Sequence, residues 1–198
     1  MAKAAYHHGD LRNALIEEAG RMIEEDGVNG LSLRGLARRL GVSHAAPGHH
    51  FADREALLCE IAAEGFAALS EGLEKALDAE DEFSVAAGMA YVDVALAAPQ
   101  RFKLMFASRF LRGDSVPERL LEESDRAYQA LLRIARGDEA ETLEAETYRM
   151  GVREFRTWSM VHGAATLYLD GALGQVGDEE EFRRLVIGML ERVRADHD

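Results

Sequence analysis

Apolar residues return along this chain at the spacing of helical faces, and no strand-like alternation competes with them. Leu11, Leu15, Ala19, Met22 and Ile23 fall on one face of a helix predicted from about Gly9 to Asp26, with Asp10 suited to its N-terminal end. Gly27 and Val28-Asn29-Gly30 end it. Ser32 is placed to cap a second helix, in which Leu33, Leu36, Ala37 and Leu40 share a face while Arg34, Arg38 and Arg39 point elsewhere. Gly41 supplies the left-handed residue that stops this helix. Ser43 is expected to cap a third, short helix ending near Phe51, distorted at its start because Pro47 deletes a hydrogen bond and biases Ala46 away from α. Asp53 caps a fourth, with Leu58, Ile61, Ala62, Gly65, Leu69, Leu73, Ala76 and Leu77 along one stripe, long enough to leave a head and enter a second domain.

The acidic stretch at 78–82 is the best boundary by composition. Beyond it helices are expected at 83–97, ended by Ala98-Pro99, then at 100–111, at 117–136, at about 141–173 and at 179–195. The expected fold is all-α: a three-helix head at 1–55, the helix 53–77 as connector, and a helical body at 78–198.

With 198 residues, 47% hydrophobic and 30% charged, the chain has enough material for a real core. No apolar run approaches the roughly 20 residues that cross a bilayer, and the first residues lack a signal-peptide core, so the expected location is cytoplasmic, away from membranes. Cys59 is the single cysteine, which excludes an internal disulfide.

Charge changes the picture. The chain holds 36 Asp plus Glu against 23 Lys plus Arg, a net −13 that by itself argues against nucleic acid. Yet Gly27 to Ala52 contains no acid at all and carries Arg34, Arg38, Arg39, His44, His49 and His50. A helix, a glycine turn and a second short helix across the first form a helix-turn-helix, whose second helix enters the major groove while the first crosses the backbone. Carboxylates there would face phosphates, which accounts for their absence.

"YHHGDLRNALIEEAG", "GLSLRGLARRLGVSHAAPGHHFADREALL" and, far downstream, "TWSMVHGAATLYLDGAL" resemble the TetR family of bacterial transcriptional regulators, in the branch whose C-terminal domain carries Trp-x-x-x-His-Gly. The head resemblance spans about residues 6–66. It implies a homodimer on a palindromic double-stranded DNA operator, a ligand cavity in the body, and repression relieved by a small-molecule effector that shifts the spacing of the two heads. Position by position, it places Ser32 and Arg34 on phosphate or groove edge. Ser43, His44 and Ala45 would begin the recognition helix, Gly48 and His49 would continue its outer face, and Arg54 would meet backbone phosphate. It makes Phe51 core. Family members commonly have an aromatic where Gly48 stands, so His44 and His49 are expected to carry more of the contact. The helices at about 141–173 and 179–195 are expected to form the dimer seam, with Gly163, Ala164, Gly171 and Ala172 as close-approach surfaces and Leu185, Ile187, Met189 and Val193 as apolar area.

Tyr91, Phe102, Met105, Phe106, Phe110, Tyr128 and Trp158 could line an apolar pocket or simply fill cores. His162 shares a face with Trp158 and Thr166, as an interior histidine or a ligand contact. Adjacent histidines, His7-His8 and His49-His50, point to different faces and no Cys or carboxylate completes a metal site. No nucleophile motif or phosphate-binding glycine loop is present, so neither enzyme activity nor a cofactor is expected. Two alternatives remain beside the ligand-responsive repressor: a helical small-molecule binding protein, and a DNA-binding regulator without an effector.

Overall fold

A computed structural model of the chain describes residues 8–77, 85–107, 116–136 and 150–195. Its described residues form an all-α protein: α1 (His8–Asp26), α2 (Leu33–Arg39), α3 (Arg54–Leu77), α4 (Val85–Ala97), α5 (Pro99–Met105), α6 (Glu118–Arg136), α7 (Val152–Leu169) and α8 (Glu179–Ala195). The expected boundary at 78–82 lies outside the described residues, as do 83–84, 108–111 and 141–149 of the predicted helices. No described helix is long and apolar enough to cross a membrane.

By contact the described residues fall into two compact units, one within 1–65 and 98–122, the other within 66–97 and 123–198. α3 is continuous, its first half in one unit and its remainder in the other.

In the first unit α1 buries Leu15, Ile16, Ala19, Met22 and Ile23 in one stripe, joined by Leu36 and Ala37 of α2 and by Leu57, Leu58, Ile61 and Ala62 of α3. α5 belongs to this unit because α1 caps it. Pro99 opens α5, and Ala98 has no side chain to satisfy the free N–H groups behind it. The carboxylate of Glu24 on α1 takes that role, accepting from Gln100 N at 3.0 Å and Arg101 N at 2.8 Å. Gly65 of α3 lets the Met105 side chain close in, since a Cβ there would meet its Sδ at 2.5 Å. Glu60 of α3 accepts from Arg12 of α1 at 2.8 Å and from Arg119 of α6 at 2.5 Å, so one carboxylate ties three helices.

The second unit is built around α4, which buries Ala87, Gly88, Tyr91, Val92 and Ala95. Gly88 lets Leu190 of α8 press against the α4 backbone, where a Cβ would stand 2.4 Å from the Leu190 Cδ1. Tyr168 of α7 stacks on Phe182 of α8, ring centroids 4.1 Å apart. Arg136 at the end of α6 and Glu154 in the first turn of α7 form an ion pair at 2.6 Å with both side chains nine-tenths buried. Burial alone would push the Glu154 carboxyl up; the Arg136 guanidinium and nearby backbone N–H groups outweigh it and hold the group below the usual carboxylate range.

Three elements depart from expectation. The helix predicted at 100–111 ends at Met105, with Phe106 as its C-cap and Ala107 N donating to Leu104 O at 3.1 Å. The helix predicted to reach 173 stops at Leu169, because Gly171 adopts φ 69° and the chain closes a Schellman pair, Ala172 N to Leu167 O at 2.9 Å and Gly171 N to Tyr168 O at 3.0 Å. The short helix predicted from Ser43 to Phe51 is a turn followed by a 3-10 turn at Pro47–His49. Ser43 gives it no side-chain cap among the described hydrogen bonds; its carbonyl accepts from Ala46 N instead.

The Glu60 cluster generates a pH prediction. Burial raises the Glu60 carboxyl, but the Arg12 and Arg119 hydrogen bonds more than offset it and leave it below the ordinary value of about 4.3. A carboxyl depressed by folding contributes stability above its unfolded value and loses that contribution as pH falls through its folded value. Glu60→Gln should therefore lower the denaturant midpoint at pH 7 and flatten its decline toward pH 3. Equal declines in variant and parent would rule out this role.

Candidate nucleic-acid interface

The acid-free window begins where α1 ends, at Gly27 with φ 72°. A short 3-10 turn at Val28–Gly30 follows, and Leu31 drops into the core. Ser32 sits extended at φ −140°, ψ 143° and its Oγ accepts from Gly35 N at 3.1 Å, so its side chain serves as the cap of α2. A Cβ at position 35 would lie 2.8 Å from that oxygen, which explains a glycine in the first turn.

α2 then sorts its side chains: Gly35, Leu36 and Ala37 inward, Arg34, Arg38 and Arg39 outward. The three arginines are not equivalent. Arg39 forks onto Glu25 of α1 at 2.7 and 3.2 Å and reaches Glu18 through Nε at 2.6 Å. The hydrogen bond from Arg39 holds the Glu25 carboxyl below its usual range. Arg34 and Arg38 are exposed and form no ion pair with any described residue.

The turn after α2 is a complete Schellman motif. Gly41 at φ 66° donates to Arg38 O at 3.2 Å and Val42 donates to Ala37 O at 3.0 Å. From Ser43 the chain runs through i to i−3 bonds, Ala46 to Ser43, Gly48 to Ala45, His49 to Ala46 and His50 to Pro47, all from 3.0 to 3.2 Å. Pro47 lacks the N–H that an α-helix from Ser43 would need, so the tighter winding is what remains. Ala46 nevertheless sits in the α region at φ −57°, ψ −45°, against the bias expected before a proline. Pro47 is buried, whereas Ser43, His44, Ala45, Gly48 and His49 are exposed together.

Behind this surface Phe51 is buried, with the Arg12 guanidinium 5.5 Å from its ring centroid and the His50 ring tilted against it at 6.4 Å. Arg54, given to phosphate by resemblance, spends Nε on Leu31 O at 2.9 Å and Nη2 on Val28 O. It clamps the loop ahead of α2 from below. Asp53 caps α3 by accepting from Ala56 N at 2.8 Å. Sequence reasoning missed the Glu18, Glu25 and Arg39 cluster; its only sequence signal is the acidic end of α1 beside a basic helix end.

The residues proposed for an apolar pocket separate. Phe102, Met105 and Phe106 lie in the first unit, with the Phe102 and Phe106 rings edge to face at 5.1 Å. Phe110 lies outside the described residues. Tyr128 is half-buried on α6. In the second unit Tyr91, Trp158 and His162 come together: the Trp158 indole donates to Tyr91 Oη at 3.1 Å, and Tyr91 Oη lies 2.8 Å from His162 Nδ1. Burial pushes the Tyr91 hydroxyl up and the His162 imidazole down, so both are neutral at pH 7 and the Tyr91 O–H can donate to Nδ1. A small apolar pocket beside them is lined by Leu73, Tyr91, Leu131, Ile134, Val161 and Leu190 among others. Of the pocket candidates within the described residues, Tyr91 alone is on its wall. Aliphatic lining residues carry no signal that distinguishes them from core. No cluster of three or more His, Cys, Asp or Glu among the described residues could hold a metal ion.

Residues 15–61 match the family model described as bacterial regulatory proteins, tetR family, and residues 84–190 match that of the tetracyclin repressor-like C-terminal domain. A protein of unknown function from Rhodococcus sp. RHA1 is 34% identical, with 96% of this chain and 98% of that one covered and a TM-score of 0.74. The TetR family transcriptional regulator PfmR from Thermus thermophilus is 21% identical over 89% of this chain and 94% of its own, with a TM-score of 0.63. A TetR family transcriptional regulator from Agrobacterium tumefaciens is 17% identical over 94% and 98%, with a TM-score of 0.64. No curated protein matches the chain.

The two exposed glycines of this surface should respond differently to a methyl group. Gly41→Ala forces a side chain into the left-handed region and should cost about 1 kcal/mol of unfolding free energy. A Cβ at Gly48 meets nothing within 4 Å, so Gly48→Ala should be neutral or stabilising by up to about 1 kcal/mol. Urea titration of both variants checks the contrast, and equal destabilisation would refute it.

Proposed function

Because the chain belongs to the TetR family of bacterial regulatory proteins, whose members are non-enzymatic DNA-binding transcription regulators, we propose that it is a ligand-responsive repressor binding a palindromic operator as a homodimer. The observation that carries this reading is the surface from Arg34 to His49: two arginines without acidic partners among the described residues beside an exposed turn of small residues and imidazoles, in a chain that is otherwise strongly acidic. Arg34 and Arg38 position the head on phosphate, and the turn from Ser43 to His49 faces base edges. Arg39 acts indirectly, by fixing α2 against α1.

The run Trp158, His162, Gly163 supports placing the body in the Trp-x-x-x-His-Gly branch. The hydrogen-bonded Tyr91, Trp158 and His162 beside the apolar pocket support a body that accepts a small-molecule effector, whose binding free energy is coupled to operator affinity. An effector-independent regulator is the second reading, and one observation favours it: the two polar side chains on the pocket wall, Tyr91 and Thr157, already hydrogen-bond within the unit.

For the dimer seam we place α7 and α8 against their symmetry mates. Leu167 and Leu185 are 48% and 55% exposed, and a Cβ added at Gly163 or Gly188 meets nothing within 4 Å, so these helical faces leave room for another helix. Ile187, Met189 and Val193 are half-buried beside them, whereas Gly171 is accounted for by its backbone turn.

Two measurements test the proposal. A DNA site selected from a random pool should bind far more tightly than scrambled DNA, with Arg34→Ala weakening binding and lowering the log–log salt slope by about one per arginine removed. Equal affinity for both DNAs would sink the reading. Leu185→Glu should halve the mass in solution and abolish operator binding; an unchanged mass would move the seam elsewhere.

A further inference from the structure

The exposed turn that follows α2 is unusual in what it lacks. Between Val42 and Ala52 there is no Arg, Lys, Asn or Gln, the side chains that read guanine or adenine with two hydrogen bonds. Of its exposed residues Ser43, His44, Ala45, Gly48 and His49, only the two imidazoles extend more than one atom past Cβ. The nearby arginines belong to α2, the helix that crosses the backbone, and Arg39 is already held by Glu18 and Glu25. A surface with so little reach touches base edges only by bringing its own backbone close to them.

Gly48 fits that requirement and no other in the fold. Its φ is not in the left-handed region, it is exposed, and a Cβ would have open space around it. Glycines 41 and 35 have internal reasons, a positive φ and a crowded cap; Gly48 has none among the described residues. Ala45 is exposed on the same turn, three residues before it and joined to it by the bond from Gly48 N to Ala45 O at 3.1 Å. Buried Pro47 and the tight winding hold the two in one short unit. The apolar partner that a base offers to a methyl group in the major groove is the C5-methyl of thymine.

Resting on the regulator reading above, we infer that this turn reads its operator by close approach: the Ala45 methyl packs on a thymine methyl, and Gly48 provides the clearance that lets the turn descend to it. The operator is accordingly of a class with one required thymine methyl in each half-site, flanked by bases that accept or donate a single hydrogen bond to His44 and His49. Thymine methyl contact supplies discrimination that a bidentate side chain supplies elsewhere.

The test uses the full-length chain and a site recovered by selection from random DNA. Each symmetric pair of thymines is replaced in turn by uracil, which removes the C5-methyl and leaves pairing intact. For one pair, uracil should weaken parent binding by roughly fourfold per half-site, the worth of one buried methyl-sized group. Ala45→Gly should bind the thymine and uracil sites equally. Gly48→Val should keep the parent's thermal midpoint and lose roughly tenfold or more in affinity, comparable to a mismatched base pair. Insensitivity of the parent to every uracil pair would overturn the inference, as would undiminished sensitivity in Ala45→Gly or parental affinity in a folded Gly48→Val. Failure of the parent to prefer the selected site over scrambled DNA is a different result: it removes the regulator reading itself, and the inference with it.

Discussion

The carboxylates on the second half of α1 hold the first unit in register. Glu18 and Glu25 grip Arg39 at the end of α2, and Glu24, between them in sequence, grips the free N–H groups that open α5. Neither partner helix could hold its place as well alone. α2 has only seven residues and α5 has seven, too few for a helix to persist on propensity. Each is instead tied at one end by charge-assisted hydrogen bonds to a nineteen-residue helix whose apolar stripe is fully buried. The same arrangement resolves how a chain of net charge −13 presents an acid-free face: nearby acids on α1 are turned onto Arg39 and onto backbone N–H groups, and the window itself holds none.

Much of this architecture is legible in sequence because helix ends are local events. Asp53, Pro99, Pro117 and Gly41 mark boundaries through capping, a missing N–H or a left-handed φ, and the structure places helix ends beside each. Gly171 is equally readable in kind, but its small size also suits a packing seam, and the turn it makes cuts α7 short. The segment from Ser43 to Phe51 shows the limit of local rules: Pro47 signals a defect and its missing N–H accounts for the 3-10 winding, but that Ala46 stays in the α region and that Pro47 is buried are not readable from it. Burial is a tertiary fact. For the same reason the fates of Arg39 and Arg54 are illegible in sequence: the resemblance gives Arg54 to phosphate, and Arg39 is only one of three outward arginines on α2, until the positions of Glu25, Val28 and Leu31 are known.

The pocket is the least readable part. Aromatic and sulfur side chains attract attention because they are large and versatile, yet Met105 and Phe102 fill the first unit and the pocket wall in the second is mostly Leu, Ile and Val. An aliphatic residue on a helical stripe has identical sequence context whether it meets a neighbour or a void. The residues that do come together, Tyr91, Trp158 and His162, share a different property: each carries a polar atom on a ring, and burial obliges those atoms to find one another. Unsatisfied polarity, more than size, is the usable signal.

Glycine makes the general point sharpest, because the chain's glycines carry one letter and several physical meanings. At 41 and 171 the backbone demands a left-handed residue. At 65 and 88 a neighbouring side chain, Met105 or Leu190, occupies the volume a Cβ would need. At 163 and 188 the helix is regular and the space beside it is empty, so the absence of a side chain has no cause inside one chain. Position 48 is of this last kind, but in the other unit and on a turn instead of a helix. Since a glycine without an internal reason gives up conformational entropy and contact area for nothing within the fold, such positions point outward, to whatever surface approaches the chain there. Gly48 lies on the turn assigned to DNA, and Gly163 and Gly188 lie on the helices assigned to the second copy, where a close approach of backbone to a partner imposes the same demand; Gly174, in the loop after α7, is open in the same way and nothing in the structure accounts for it.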